Sequence, residues 1–182
     1  MAVTQGPFLK TARFELWKPA ADDLEGLCKL LAHEDMRRFL GPASPDPMDQ
    51  FNRLGRNAGS WALYGYGTFY VRRPGERDLI ANCGVFHSWR GFGKGMDDTP
   101  EAGWIVRQDC WGQGLAQEVM RAAIAWFDEA HGPRRIACMI EDGNVASERV
   151  AAGLGFVSYG RHEPEDGRGA AINLYERLVR KA

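Results

Sequence analysis

A chain of 182 residues, 45% of them hydrophobic, is long enough to bury one sizeable core, and nothing in its composition divides it, so a single domain over 1–182 is expected. Its 23 Lys and Arg against 24 Asp and Glu leave a net charge of −1, which offers no field for steering toward nucleic acid or an anionic membrane. Cys28, Cys83, Cys110 and Cys138 stand far apart with no Cys-x-x-Cys pair, which argues against a disulfide scaffold or a structural zinc site. Without a leader-like start or an apolar run of membrane length, a soluble cytoplasmic protein is expected.

In chain order, Phe14, Leu16 and Trp17 predict a short strand ended by Pro19, which cannot donate to a continuing ladder. Asp22 and Asp23 precede Leu24, Leu27, Cys28, Leu30 and Leu31, whose three-and-four spacing predicts an amphipathic helix with acids at its positive end. Gly41 to Asp49, with Pro42, Pro45 and Pro47, is expected to be irregular, and Phe51 and Leu54 to lie on a short helix ending by Gly59. The loops between these early helices are candidates for a substrate entrance. Trp61 to Val71 and Leu79 to Phe86 predict a hairpin across a polar turn, with Gly65 and Gly67 marking a bulge or a close contact. His87 to Pro100, mixing glycines with aromatic and charged residues, is expected to be a mobile surface excursion and a candidate lid.

Alternation of Ala102, Trp104 and Val106 predicts the next strand, and Leu115, Val119, Ala122, Ala123 and Trp126 the apolar face of a long helix stopped by Gly132-Pro133. Arg135 to Ile140 reads as a strand and Asn144 to Ala152 as a short helix closed by Gly153 and Gly155. A turn at Asp166-Gly-Arg-Gly leads into a last strand over Ala170 to Leu178. The total is six or seven strands and four helices.

The stretch from Glu101 to Phe127 is thus a strand, a tight turn containing Gly112 and Gly114, and a helix, an arrangement that presents bare amides to an anion. It lacks the Lys-Ser/Thr of a P-loop, and no Gly-x-Gly-x-x-Gly opens a dinucleotide fold. Spacing alone leaves a structural turn and a phosphate cradle equally open.

Asp109-Cys-Trp-Gly-Gln-Gly-Leu-Ala-Gln-Glu, followed by Glu141-Asp-Gly-Asn-Val-Ala-Ser-Glu-Arg-Val-Ala-Ala-Gly-Leu-Gly-Phe, resembles the GCN5-related N-acetyltransferase superfamily. Thr11-Ala-Arg-Phe-Glu-Leu and Glu101-Ala-Gly-Trp-Ile-Val resemble its ribosomal-protein-alanine N-acetyltransferase-like branch, and the similarity spans almost the whole chain. The resemblance implies the acyl-CoA N-acyltransferase fold, a mixed α/β architecture whose mostly antiparallel six- or seven-stranded sheet has a V-shaped split and carries about four helices. It implies acetyl-CoA as cosubstrate, no metal, and direct acetyl transfer to a primary amine of a protein N-terminus or a small molecule. A monomer or homodimer without nucleic-acid or membrane partners goes with it.

Carried over residue by residue, the resemblance implies cofactor contacts from Ile105, Val106, Trp111, Gly112, Gln113, Gly114, Leu115, Ala116, Asn144 and Ser147. Asp109 stands where a basic residue or glutamine is usual, and Asp142 replaces the proline two residues before Asn144. Acetyl transfer requires a neutral amine, a stabilised oxyanion and a protonated or stabilised leaving thiolate. Glu101 is the candidate base, Ser147 and Tyr175 are candidate donors to the sulfur, and the backbone near Ile105 or Val106 is the candidate oxyanion site. Their plainer readings are a solvated acid, a helix-capping hydroxyl and a core tyrosine. Arg121 and Arg149 are candidates for CoA phosphates or solvated helix-face residues. Cys110 has no local histidine to activate it, so an acetyl-cysteine intermediate is not expected. A noncatalytic CoA- or acyl-CoA-binding regulatory protein is the alternative function, and an interaction protein without a nucleotide ligand a third.

Overall fold

A computed structural model describes residues 6–41, 43–164 and 169–178. The chain opens with β1 (Leu9–Lys10) and β2 (Glu15–Trp17), followed by α1 (Leu24–Leu30) and α2 (Pro47–Tyr64). A meander of β3 (Thr68–Arg72), β4 (Ala81–Trp89) and β5 (Asp97–Val106) leads into α3 (Leu115–His131). β6 (Ile136–Glu141), α4 (Val145–Gly153), β7 (Val157–His162) and β8 (Ile172–Arg177) complete the described order. The strands form one sheet in the order β1-β2-β3-β4-β5-β6-β8-β7, antiparallel throughout except where β6 returns parallel to β5 after the α3 crossover.

Strand alternation sorts side chains onto two faces. Phe69, Val71, Ala81, Cys83, Val85, Ala102, Ile136 and Cys138 cluster with Leu115, Val119, Ala123 and Phe127 of α3. On the other face Tyr70, Leu79 and Ile105 meet Leu27 and Leu30 of α1 and Leu54 of α2. Burial of a side chain such as Phe127, which is fully covered, stabilises the fold by about 1.5–3 kcal/mol. β5 and β6 share one register pair, Glu101 with Ala137, and none along Ala102–Val106. That divergence is the V-shaped split, and it leaves the end of β5 open on one side.

Eight strands exceed the six or seven expected, because β1 is two residues long and β7 is a mostly exposed edge whose sequence lacks an apolar alternation. α2 is longer than expected at both ends. Pro47 occupies the first helical position, where its missing N–H is not needed, and Asp46 caps the helix by accepting from the Met48 amide at 2.8 Å. The helix passes Gly55 and Gly59 and ends at Gly65, whose φ of +76° suits glycine. Trp61 to Tyr64 is therefore helix rather than strand, and the Trp61 indole donates to the Thr68 carbonyl at 2.9 Å. Gly67 is indeed a close contact, since a Cβ there would lie 2.5 Å from the Trp61 ring.

The expected excursion at His87 to Pro100 is also corrected. β4 continues to Trp89 and β5 begins at Asp97, so the sheet itself claims most of the segment. The intervening turn is fastened by Asp97, which accepts from the amides of Gly91 at 2.6 Å and Gly93 at 2.7 Å. Of the turn expected at Asp166 to Gly169, residues 166–168 lie outside the described residues.

Candidate active site

Between β5 and α3 the chain makes a short 3-10 turn at Gln108–Cys110 and then two left-handed residues, Gly112 (φ +71°) and Gly114 (φ +73°). Glycine takes that conformation without the cost a Cβ would impose. The amides of Gly112, Gln113, Gly114, Leu115, Ala116 and Gln117 donate to no acceptor among the described residues. They stand at the positive end of a seventeen-residue helix, so the local field favours an anion.

A cavity of about 630 Å³ begins at this turn. Trp111, Gly112, Gly114, Leu115 and Ala116 form one wall, and Asn144, Ala146, Ser147, Arg149 and Val150 face them from the start of α4. Trp104, Ile105 and Val106 at the open end of β5 lie between, and Met36, Arg38, Phe39 and Leu40, from the loop joining α1 to α2, close the far side. The loop between the early helices does therefore line the cavity. Gln113 does not; its side chain donates to the Asp109 carbonyl at 2.9 Å, folding the turn onto itself.

Asn144 caps α4, its Oδ1 accepting from the Ser147 amide at 3.1 Å. The Ser147 hydroxyl accepts from the Trp104 indole at 3.3 Å, a bond that bridges the split from β5 to α4. Asp142, in the place of the usual proline, is held by Arg161 of β7 at 3.1 Å and Asn173 of β8 at 3.2 Å. Bonds from these two side chains hold its carboxyl below the ordinary range. The approach to α4 is thus tied by side chains rather than by a rigid ring.

Glu101 sits on β5 at the last register pair before the split and is 3% exposed, which removes its reading as a solvated acid. Arg90 grips both its oxygens, at 2.8 and 2.5 Å. It does not line the cavity. Nor does Tyr175, whose hydroxyl donates to Glu148 of α4 at 3.1 Å. Burial first, and then Glu148, push the Tyr175 hydroxyl up to about 12. Arg149 lines the cavity, whereas Arg121 reaches instead toward the Gly153 carbonyl at 3.5 Å. Cys110 also lines it, but burial, and next Asp109, push its thiol up, so it stays protonated at neutral pH.

Residues 13–157 match the acetyltransferase (GNAT) domain family. The chain belongs to the GNAT acetyltransferase family. A protein described as a GnaT-family acetyltransferase, from Bordetella pertussis, is 32% identical, with a TM-score of 0.81 over 93% of this chain and 98% of that one. The uncharacterized N-acetyltransferase YoaA of Bacillus subtilis is 23% identical over 155 residues, 85% of each chain. A ribosomal L7/L12 α-N-protein acetyltransferase, solved in complex with coenzyme A, is 15% identical with a TM-score of 0.74, covering 93% of this chain and 96% of that one. Ribosomal-protein acetyltransferases are thus among its structural neighbours, as the sequence resemblance implies.

For a GNAT enzyme two supports of this site escape a motif-based reading. Trp104 counts in the sequence only as an alternating strand residue, yet it places its N–H on Ser147. The other is the brace on the glycine turn. Arg13 donates to both Glu118 at 2.6 Å and the Gln113 carbonyl at 3.0 Å, while Thr11 reaches the same carboxylate at 2.6 Å. Burial opposes the charge on Glu118, but the bonds from Thr11 and Arg13 outweigh it and hold the carboxyl below its ordinary range. The family-like Thr11-Ala-Arg segment was the signal available for this brace. Asp109, the departure from the usual basic residue, is neutralised by Arg107 through bonds of 2.7 and 3.0 Å, which removes most of its repulsion for an anion on the turn.

Proposed function

We propose that this GNAT enzyme seats the pyrophosphate of acetyl-CoA on the amides from Gly112 to Ala116. In this reading the thioester end lies between Ile105–Val106 and Asn144–Ser147, and the acetyl group goes to a primary amine on a protein N-terminus or a small molecule. The observation that carries it is the run of unpartnered amides opening onto the cavity at the start of α3. Trp111 adds an indole that donates to the Val106 carbonyl at 2.6 Å and steadies the end of β5 beside the turn. Arg149 and Arg38, both lining the cavity, supply positive charge near the remaining phosphate groups.

Acetyl-CoA supplies an activated carbonyl. The amine nitrogen bonds to that carbon as the carbon–sulfur bond breaks, so one proton must leave nitrogen and the thiolate must gain one. The Val106 backbone amide, freed from a β6 partner by the split, faces the developing oxyanion, whereas Ile105 is turned toward Asn82 of β4. Glu101, which does not line the cavity, takes the amine proton through water; Arg90 occupies one lone pair on each of its oxygens and leaves the others free to accept. Trp104 occupies one lone pair of the Ser147 oxygen, which leaves the hydroxyl proton to point at the sulfur. Ser147 is preferred to Tyr175 as donor because it lines the cavity and Tyr175 gives its proton to Glu148.

The test is calorimetric titration of the folded protein with acetyl-CoA, followed by thiol release and intact-mass detection across peptides, amino acids, polyamines and cell extract. Saturable binding with repeated turnover supports the reading. No binding heat and no thermal shift would remove the proposed cofactor site.

A further inference from the structure

The face of α2 that meets the sheet is unusually polar. Gln50, Arg53 and Asn57 recur at three- and four-residue spacing alongside Leu54, on the stripe where a packed helix is normally apolar. Asn57 finds a partner, donating to the Tyr70 hydroxyl at 3.1 Å. The Nε of Arg53 and the Oε1 of Gln50 have none among the described residues. Across from them, on the same face of the sheet, the Oδ1 of Asn82 and the Oγ1 of Thr68 are likewise shielded and unpartnered. Asn82 lies in register between Tyr70 of β3 and Ile105 of β5, and Ile105 lines the cavity. Thr68 is two residues from Tyr70 and shares its face. Asn82 is 4% exposed, Thr68 6% and Gln50 1%. Buried polar atoms are rarely left unpaired, so four along one seam beside the split mark a place built for a polar occupant.

The charge of that occupant follows from the cations around it. Burial first, and then Arg56 and Arg90, push Arg53 below its ordinary value against the opposing influence of Tyr70 and Asp49, and no carboxylate bonds to it among the described residues. Glu101, the nearby buried acid, is already held by Arg90. A partly shielded guanidinium among cations, with an unpartnered Nε and no counter-ion among the described residues, is completed by an anion.

We propose that the amine acceptor carries a carboxylate, which docks on Arg53 between α2 and the sheet and accepts from the Thr68 hydroxyl, while its amine donates to the Asn82 Oδ1 and reaches the split beside Ile105. This deepens the acetyl-transfer reading and rests on it. The acceptor class is then an amino acid or another amine bearing a free carboxylate, rather than a polyamine or an uncharged amine.

The experiment compares steady-state acetylation of ω-amino acids of graded length with their carboxamides, since several methylenes between the groups keep the amine basicities nearly matched. The carboxylate series is expected to have kcat/KM about 10- to 100-fold higher, the scale of a charge-assisted hydrogen bond. Arg53→Met should erase that preference, with acetyl-CoA affinity by calorimetry unchanged, and Arg53→Lys should retain part of it. A melting curve checks that each variant is folded. Equal or better use of carboxamides, a preference that survives Arg53→Met, or no acetylation of either series by protein that binds acetyl-CoA would each overturn the proposal. Failure to bind acetyl-CoA at all is a separate outcome, which removes the donor site and this proposal with it.

Discussion

Gly114 offers the sharpest test of the phosphate turn, because two substitutions there separate folding from binding. Its φ is +73°, and a Cβ would meet only the Arg13 guanidinium at 3.7 Å, an ordinary contact. Gly114→Ala therefore fits in space and bears only the left-handed penalty, about 1–2 kcal/mol. For a chain of this size that lowers the melting temperature by about 2–8 °C. The amides keep their directions if the turn holds, so acetyl-CoA affinity should change less than about fivefold. Gly114→Pro is different in kind, since proline fixes φ near −65° and has no N–H. The peptide units on either side must then rotate, removing at least two charge-assisted hydrogen bonds worth about 1.5–3 kcal/mol each. The expected loss is at least about 100-fold in Kd. Calorimetry with acetyl-CoA, alongside circular dichroism and melting curves, reads both quantities. A folded Gly114→Pro protein binding within about tenfold of the parent would refute the placement of the pyrophosphate on this turn.

The other predictions concern the groups around it. Trp104→Phe removes the N–H that reaches Ser147 at 3.3 Å, and kcat should fall by about 2- to 6-fold, the modest scale of a long neutral hydrogen bond; in a Ser147→Ala background the same change should cost nothing, and an equal cost there would point to ring packing instead. Glu101→Gln should preserve acetyl-CoA affinity and depress turnover near neutral pH, and an unaltered pH-rate profile would exclude Glu101 as the base. Glu118, with its carboxyl held low, contributes stability that is fully present above its unfolded value, about 4.3, and is lost as pH falls through the folded one. Glu118→Gln should thus melt lower than the parent by about 2–4 °C at pH 7, with the gap closing below about pH 4; a gap independent of pH would assign the effect to packing.

The glycine turn and the Asn144 cap are legible because their backbone geometry demands local sequence. Two left-handed residues in one turn call for glycines, and a helix capped by Asn144 three residues before Ser147 announces itself in the chain. The same locality explains why α3, β6 and α4 were read with nearly correct bounds. Pro47 misled because proline is a breaker inside a helix and a good residue at its first position, and periodicity alone does not say which applies. Trp61 misled because an aromatic residue before β3 suits a strand as well as the end of a helix. The Arg90–Glu101 pair and the Trp104–Ser147 bridge were not legible, since each depends on how strands and helices meet across a split that no single segment encodes.

The brace from Thr11 and Arg13 to Glu118 joins residues 107 and 105 positions apart. Closing a loop of that length costs chain entropy before any local contact repays it, and so belongs to the slow part of assembly. The glycine turn can form its two left-handed residues early, from local preference alone, but its orientation is completed only when the first hairpin docks. On the proposed seating of acetyl-CoA, competence to hold it is therefore acquired late in folding. On that same seating, the bound cofactor feeds its binding energy back to the first hairpin, so that the beginning of the chain and the middle of it become one cooperative unit.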